Sequence, residues 1–248
     1  MTYDTVKREG FATLESILKS GNVIRLIHYV DDYLMAIYKD DDLADVHDNL
    51  LSYAEALRFF ENLERSGDLK AYCNGSNAAG RWIFQIYNRE FIEQLVSLIN
   101  RALTATESSG PVLEIMSGDG RLTDFLRPAV HREIIATDAK DGRYNIAYPK
   151  WIETLDANES VEKYKPSFII ISWEPYLSMS GIEIVQRRIP MAWIGNPKMC
   201  GHADIFDYPH FPMHSKYALS RHDSFVERKF KTDIFLFNYD KTWLNTID

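Results

Sequence analysis

The chain has 248 residues, enough for one well-covered α/β core with a smaller attached unit, or for two modest domains. Its composition, 46 % hydrophobic and 26 % charged, is that of a folded globular protein and excludes a largely disordered chain. The formal net charge of -8 would repel a polyanion unless a local basic patch offsets it, so nucleic acid is a disfavoured partner.

Cysteine content and hydropathy bear on the compartment in which the protein works. Cys73 and Cys200 are the only cysteines, too few for a disulfide framework and without the spacing of metal ligands. No apolar run approaches the roughly 20 residues that span a bilayer, and the N-terminus has no apolar signal core. The sequence therefore predicts a cytoplasmic protein without a membrane span.

The first hundred residues are predicted to be mainly helical. Residues 22–38 are rich in Ile, Leu, Val and Tyr and contain no helix breaker. A second helix carries one apolar stripe and is expected to end near residues 66–67. Asn88 is a suitable N-cap for a third helix that runs to Leu103, after a short strand or extended connector over residues 82–87. The apolar stripe consists of Leu50, Tyr53, Leu57 and Phe60.

Beyond Gly110 the pattern changes to short apolar runs that alternate with helical or loop segments. Such alternation favours a doubly wound, mostly parallel α/β sheet with right-handed crossovers. Residues 224–229 and 234–239 are expected to form an antiparallel hairpin at its edge. The predicted organisation is a helical region, residues 1–105, that caps a pocket or mediates homo-oligomer contacts, and an α/β domain, residues 106–248. The strand candidates are residues 112–116, 133–137, 167–172 and 190–195.

The stretch over residues 111–125 has the pattern of a buried strand, a tight glycine turn and the start of a helix. Gly118 and Gly120 lack a Cβ, so the backbone can turn sharply there and come close to a ligand. The following helix would aim its N-terminal amides at the crevice beyond the strand, where open α/β sheets bind nucleotide-like cofactors. One glycine pair also occurs in plain strand-to-helix connections, so the surrounding residues decide the cofactor.

Two phosphate-binding fingerprints can be tested on the residues after this turn. A dinucleotide fingerprint that starts at Gly118 would place a small residue at position 123, where helix and strand pack closely, and Thr123 stands there. A Walker loop is excluded more firmly, because no Gly-Lys-Ser/Thr follows. An NAD-dependent oxidoreductase is therefore disfavoured.

The segment from Glu114 to Gly120 resembles the first motif of the class I, Rossmann-like S-adenosylmethionine-dependent methyltransferases, an acidic strand residue followed by a G-x-G-x-G turn. Met116 replaces the first glycine, and the two later glycines are retained. The resemblance places Glu114 near the methionine amine of the cofactor. Because an acid inside an apolar strand needs hydrogen-bond donors or a proton, a structural role in holding the glycine loop is its alternative.

Two further acids resemble cofactor contacts of the same family. Asp138 ends the second predicted strand, where the family has an acid that accepts hydrogen bonds from both ribose hydroxyls; a helix cap is the alternative. Residues 154–157 resemble the third motif, which implies that Asp156 receives the adenine amino group, with a surface acid as the alternative. The cofactor site implied by the resemblance comprises Glu114, Met116, Ser117, Gly118, Gly120, Asp138, Asp156, Ala157 and Ser172.

The fourth predicted motif is Ser-Trp-Glu-Pro-Tyr, residues 172–176, where the family places residues that face the transferred methyl. It distantly resembles the Asp/Asn-Pro-Pro-Tyr motif of amino-group methyltransferases, without the leading Asp/Asn and the first Pro. Glu174 and Tyr176 are therefore candidates to orient or deprotonate the methyl acceptor. The resemblance covers residues 110–240 and does not extend to the N-terminal region.

Four histidines and three aspartates lie within residues 198–223. A metal site is disfavoured, because Pro209 and Pro212 prevent the regular helix that would give His210 and His214 a common face. The segment is better explained as a loop that overhangs the acceptor pocket. His202 lies nearest the strand end and is the candidate general base.

The sequence thus predicts an S-adenosylmethionine-dependent methyltransferase that acts on a small organic molecule, with a protein acceptor as the second choice. Met116 and the degenerate fourth motif leave a catalytically inactive, S-adenosylmethionine-binding regulatory protein as an alternative. An RNA or DNA amino methyltransferase is another alternative and would need a local basic surface.

Overall fold

The computed structural model of the chain describes residues 50–77, 80–141 and 148–240. All of them belong to one compact unit, Val46–Asp248. The helix predicted over residues 22–38 lies outside the described residues. The domain boundary predicted after residue 105 stays a prediction.

The first described helix, α1 (Tyr53–Ser66), is delimited by local signals at both ends. The Ser52 hydroxyl accepts a hydrogen bond from the Glu55 N–H, and Glu55 Oε2 accepts one from the Ser52 N–H at 2.8 Å, which forms a capping box. Gly67 follows the helix with a φ of 80°, the left-handed conformation that favours glycine. The predicted end of this helix is confirmed, and a short helix α2 (Leu69–Cys73) comes next.

A connector, defined here as residues 80–87, leads to the third helix. It contains strand β1 (Gln85–Ile86), which confirms the short strand predicted in this segment. Helix α3 (Arg89–Ala105) then begins after Asn88, whose Oδ1 accepts the Phe91 N–H at 2.9 Å. The predicted N-cap is therefore confirmed.

A seven-stranded sheet forms the centre of the unit. The four strands predicted from apolar runs are present, because their side chains are buried from both faces of the sheet. The strands of this sheet are β2 (Val112–Ile115), β3 (Ile134–Asp138), β4 (Glu153–Thr154), β5 (Phe168–Ser172), β6 (Met191–Gly195), β7 (His210–Pro212) and β9 (Asp233–Phe237), while β8 (Leu219–Ser220) pairs with β1 separately.

The strand order is β4-β3-β2-β5-β6-β9-β7. The strands from β4 to β6 are parallel, and β9 runs antiparallel between β6 and β7. Numbered in chain order, the parallel strands follow the 3-2-1-4-5 arrangement of a doubly wound sheet. The predicted mostly parallel α/β, Rossmann-like architecture is confirmed for the described residues. The order reverses between β2 and β5, and the crevice beyond their carboxyl ends is where such sheets bind ligands.

Helices cover both faces of this sheet. Helix α3 and α4 (Arg121–Leu126) share one apolar cluster, and α5 (Ala157–Tyr164) and α6 (Ser180–Val185) share the other. None of the described helices is long and apolar enough to cross a membrane. Alternate residues of β5 belong to opposite faces of the sheet: Phe168 and Ile170 pack in the first cluster, and Ile169 and Ile171 pack in the second.

The hairpin predicted between residues 224–229 and 234–239 is wrong in its pairing. Ser224 and Lys229 instead exchange backbone hydrogen bonds with each other, at 3.1 and 2.9 Å. Strand β9 pairs with β6 on one side and β7 on the other. The physical reason is that β9 is apolar enough to lie inside the sheet, whereas residues 226–229 are exposed and mostly charged.

Candidate functional site

The turn after β2 adopts left-handed backbone at three positions. Met116 has a φ of 54°, Gly118 of 56° and Gly120 of 70°. This conformation costs a residue with a Cβ roughly 1–2 kcal/mol, so Met116 occupies a position where glycine would be unstrained. The Ser117 N–H ties the turn to β3 by donating to Thr137 O at 3.1 Å. The turn therefore has the conformation that a three-glycine motif would favour.

Gly120 is required by its neighbours as well as by its backbone. A Cβ at this position would collide with Trp151 Cη2 and lie 2.9 Å from Ile152 Cδ1. The Arg127 guanidinium carbon lies 4.1 Å from the centre of the Trp151 ring, a cation–π contact that holds the indole against the turn. The close approach at Gly120 is thus made by Trp151.

Glu114 is buried in β2 and holds the helix that follows the turn. Its Oε2 accepts the Thr123 N–H at 3.0 Å and also the Thr123 hydroxyl. Burial raises the pKa of Glu114 to about 8. These contacts match its predicted alternative role of holding the glycine loop. They also give Thr123, which counted against a dinucleotide site, a structural role of its own.

Asp138 ends β3 beside the turn. Its Oδ2 accepts the Gly118 N–H at 2.9 Å, and its Oδ1 accepts the Lys140 N–H at 2.7 Å. The Tyr148 hydroxyl donates to the same carboxylate, and burial together with the Asp138 charge raises the pKa of Tyr148 to about 12. A carboxylate has about four acceptor positions, so these three donors leave one for a ligand hydroxyl.

Asp156 lies at the N-terminus of α5. Its Oδ1 accepts the Asn158 N–H at 2.8 Å, which makes it the N-cap of the helix. Asp156 is exposed, and Ala157 next to it is buried. The acid assigned to adenine therefore has a structural role, and its second oxygen is the part available to a ligand.

The carboxyl end of β5 is bound to the connector. The Ser172 hydroxyl hydrogen-bonds Tyr87, and Trp173 Nε1 donates to Gln85 Oε1 at 2.8 Å. Trp173 has a φ of 59°, so the chain turns directly after the strand. Ser172 thus ends β5 in contact with Tyr87 of the connector, and its role as a cofactor contact stays a prediction.

Glu174 is 1 % exposed and accepts hydrogen bonds from three donors of the protein. Its Oε1 accepts the Gly181 N–H at 2.7 Å, its Oε2 accepts the Trp193 Nε1–H at 3.0 Å, and the Ser178 hydroxyl donates a third hydrogen bond. Burial raises the pKa of Glu174. The carboxylate therefore joins the loop after β5 to α6 and β6.

The other two predicted catalytic residues lie on neighbouring loops. Tyr176 is 62 % exposed. His202 precedes a short 3-10 helix (Ala203–Asp207), and its Nδ1 accepts the Asp204 N–H at 3.3 Å. Backbone hydrogen bonds join the two loops, with the Leu177 N–H donating to Gly201 O at 3.0 Å. The structure therefore brings these loops together at the carboxyl ends of β5 and β6.

The connector is a part of this site that sequence reasoning missed. Arg81 Nη1 contacts Asp119 Oδ2 in the glycine turn at 3.0 Å, while Gln85 and Tyr87 reach the end of β5. The connector therefore bridges the two strands that flank the switch point. A polar glutamine inside an apolar, strand-like run was the available signal.

A group of aromatic rings was also missed. The Trp173 ring contacts Phe84, at a centroid distance of 6.0 Å, and His222, at 5.3 Å. The Arg221 guanidinium carbon lies 5.3 Å from the centre of the Phe84 ring. Burial and the charge of Arg221 lower the pKa of His222. His222 follows β8, and the pairing of β8 with β1 is what brings it to Trp173.

Buried polar atoms mark the same region. Gln85 Nε2 and Ser117 Oγ are both buried, and neither has a hydrogen-bond partner among the described residues. An unsatisfied buried donor or acceptor costs about 1–3 kcal/mol, so each is a place where a ligand atom would be stabilising. No group of three or more His, Cys, Asp or Glu in the described ranges is arranged to hold a metal ion.

No protein-family model matches the sequence, and no curated protein matches it. Among solved structures, the plantazolicin methyltransferase BpumL in complex with SAH aligns with 14 % identity over 58 % of this chain, at a TM-score of 0.26. The chain spans 63 % of the length of that protein. A SAM-dependent methyltransferase of the DUF858 family from Leishmania major aligns with 11 % identity over 83 % of this chain and 90 % of its own, at a TM-score of 0.31. These scores are low, and the Rossmann-like fold is assigned from the strand order.

Proposed function

We propose that the protein is an S-adenosylmethionine-dependent methyltransferase. The observation that carries this proposal is the link between Asp138 and Gly118 beside the switch point of a doubly wound sheet. It puts a carboxylate with remaining acceptor capacity next to a left-handed turn, the arrangement that a nucleoside with a ribose diol needs.

The residues present fit this cofactor. Asp138 would accept one ribose hydroxyl at its remaining acceptor position, and the unsatisfied Ser117 Oγ would be satisfied by a polar group of the cofactor. Asp156 lies at the edge of the same sheet end, after β4, where it would contact the adenine amino group. The remaining cofactor-binding residues in this proposal are Glu114, Met116, Gly118, Gly120, Ala157 and Ser172, of which Glu114 acts by holding α4 in place.

When bound, S-adenosylmethionine would supply an electrophilic methyl group on a sulfonium: the acceptor atom would form a bond to the methyl carbon as the carbon–sulfur bond breaks, with a neutral thioether as leaving group and the proton of a protonated acceptor released. The work left to the chain is alignment and exclusion of water. The connector would serve both, because it contacts the glycine turn after β2 and the loop at the end of β5.

The three catalytic candidates divide by their environment. Glu174 is a positioning residue in this proposal, because its oxygens already bind three donors of the protein. Tyr176 and His202 stay candidates to orient or deprotonate the acceptor. The engagement of Glu174 also favours the second candidate function, a regulatory protein that binds S-adenosylmethionine without transferring its methyl group.

Isothermal titration calorimetry with S-adenosylmethionine and S-adenosylhomocysteine tests the proposal. Binding is expected in the micromolar range, and Asp138→Ala is expected to weaken it about tenfold or more, since a hydrogen bond to a charged group contributes about 1.5–3 kcal/mol. Asp68→Ala, an exposed aspartate before α2, is the matched control and should bind as the wild type does. Absence of heat with both ligands would exclude the proposal, and binding without transfer to any acceptor would favour the regulatory alternative.

A further inference from the structure

The Gln85 side-chain amide has a fixed orientation. Indole Nε1 can only donate a hydrogen bond, so the atom that meets Trp173 Nε1 at 2.8 Å must be the amide oxygen. The nitrogen, Gln85 Nε2, is therefore the donor that remains. Gln85 is 2 % exposed and this nitrogen has no partner among the described residues. A buried donor held in one direction without an acceptor indicates that a ligand supplies the acceptor.

This donor lies beside the end of β5. Gln85 and Tyr87 share one face of the connector by the two-residue period of an extended chain. Tyr87 contacts Ser172, the last residue of β5, and Gln85 contacts Trp173, the residue after it. Gln85 therefore lies beside the end of β5, next to the loop that follows this strand.

The surroundings of the donor are aromatic and apolar. Trp173 contacts both Phe84 and His222, with interplanar angles of 34° and 28°, and His222 is exposed. The loops after β5 and β6 expose large apolar side chains, a feature that marks interaction sites. These side chains are Tyr176 at 62 %, Leu177 at 60 %, Met179 at 49 % and Met199 at 43 % exposure.

Charge narrows the class of ligand further. Arg221 is held by the carbonyl oxygens of Cys73 and Ile83, at 3.2 and 3.5 Å, and its guanidinium lies against Phe84. A fixed positive charge beside the rings disfavours a cationic ligand. The site thus combines flat apolar surfaces, one oriented N–H donor and a neighbouring positive charge.

We propose that Gln85, Trp173 and His222 form the acceptor subsite of the proposed methyltransferase, on which this inference rests, and that the acceptor is an uncharged or anionic planar aromatic molecule. Its ring packs against Trp173 and His222, and an oxygen atom it carries accepts the hydrogen bond from Gln85 Nε2. Gln85 is a positioning residue that selects for this oxygen.

Three probes of similar shape separate these contributions. All three carry a phenol group and differ only in the opposite substituent. 4-Hydroxyacetophenone has a ketone oxygen there, 4-ethylphenol has an ethyl group and keeps only the phenol oxygen, a weaker acceptor than a ketone, and tyramine has a cationic aminoethyl group. Ligand-observed NMR titrations of the full chain, saturated with S-adenosylhomocysteine, measure their affinities. The ketone is expected to bind at least about fivefold more tightly than 4-ethylphenol, which corresponds to one hydrogen bond of about 1 kcal/mol, and tyramine is expected to bind most weakly.

Two variants test the role of Gln85. Gln85→Glu keeps an oxygen for Trp173 Nε1 and replaces the donor, so it should remove the preference for the ketone at neutral pH. Gln85→Met removes both hydrogen bonds. It controls for the case in which the glutamate of the first variant is protonated and still acts as a donor. Gln186→Glu, at an exposed glutamine after α6, is the matched control and should keep the preference. Circular dichroism melts confirm that each variant is folded.

The outcomes separate this inference from the function on which it rests. If S-adenosylhomocysteine binds but none of the probes does, or if both folded Gln85 variants keep the preference for the ketone, the acceptor subsite is contradicted and the methyltransferase proposal stands. A stronger binding of tyramine than of the ketone would contradict the assigned charge class. If S-adenosylhomocysteine does not bind, both proposals fail together.

Discussion

The carboxyl ends of β2 and β5 are neighbours in the sheet, and each has a buried glutamate. Glu114, inside β2, binds only Thr123 of α4 among its described hydrogen-bond partners. Glu174, two residues after β5, binds donors from α6, β6 and its own loop. Glu114 therefore joins a strand to the helix that directly follows it, whereas Glu174 is the centre of a hydrogen-bond network between several elements.

Despite this difference in extent, both glutamates have a structural role. In both cases a carboxylate that sequence patterns associate with a ligand is used to hold the backbone that surrounds the ligand site. The polar atoms left for a ligand are on two neutral side chains, Ser117 and Gln85, and on Asp138. Removing either glutamate should therefore affect stability before it affects chemistry.

The larger effect is expected at Glu174. Glu174→Ala leaves the Trp193 and Gly181 donors buried without partners, and each such donor costs about 1–3 kcal/mol. With the cavity added, the free energy of unfolding is expected to fall by about 3–5 kcal/mol. Urea unfolding followed by tryptophan fluorescence measures this change.

Glu162→Ala provides the control for that experiment, because Glu162 is 65 % exposed in its ion pair with Arg187. It should change the free energy of unfolding by no more than about 0.5 kcal/mol. An unchanged unfolding midpoint in Glu174→Ala, with lost methyl transfer, would show instead that Glu174 acts on the acceptor directly.

At Glu114 the expected effect depends on pH. Its pKa of about 8 in the folded protein lies above the ordinary value of 4.5, so the unfolded chain gives up this proton first as the pH rises. The contribution of neutral Glu114 is complete below about pH 4.5 and is lost by about pH 8. Glu114→Gln stays neutral, and its stability relative to the wild type should grow across this window by up to about 1.36 kcal/mol per pH unit.

Urea unfolding of the wild type and of Glu114→Gln at pH 5 and pH 8 measures this dependence. A second variant, Thr123→Val, tests the same contact by changing the hydrogen-bond donor. Thr123→Val removes the hydroxyl that favours the ionised form, so it should raise the pKa of Glu114 further. A constant difference in stability between Glu114→Gln and the wild type at both pH values would mean that Glu114 is ionised throughout.

Local patterns predicted most of the fold. Buried apolar runs gave the central strands, and the signals at Asn88 and Gly67 gave helix ends, because both depend on residues close in sequence. The pairing of β9 was not predictable in the same way, since the residues of an apolar strand do not indicate which strands will be its neighbours.

The candidate site shows the same limit. Asp138 and the glycine turn follow strand ends, which a strand pattern locates directly. The pairing of Gln85 with Trp173, 88 positions apart, and the delivery of His222 by β8 depend on contacts between distant segments. These contacts have no signal in a single sequence beyond the unexplained glutamine in an apolar run.

The smallest expected effect separates backbone strain from contact at the glycine turn. Gly67 and Gly120 both have left-handed φ values, 80° and 70°, but only Gly120 faces a neighbour that a Cβ would meet. Gly67→Ala should therefore cost about 1–2 kcal/mol from the backbone alone. Gly120→Ala should cost about 0.5–1 kcal/mol more, because Trp151 must move and give up its cation–π contact with Arg127.

Thermal unfolding of both variants, and of Gly120→Ala combined with Trp151→Ala, measures that difference. Measured against Trp151→Ala alone, the extra cost of Gly120→Ala should be smaller in the combined variant, since the colliding ring is gone and the flexible Cδ1 end of Ile152 is the close neighbour that remains. If the extra cost persists without the indole, the space above Gly120 is closed by other atoms. In that case Trp151 does not set the limit on this side of the turn, and the glycine there would be required by the rest of the β2–α4 junction.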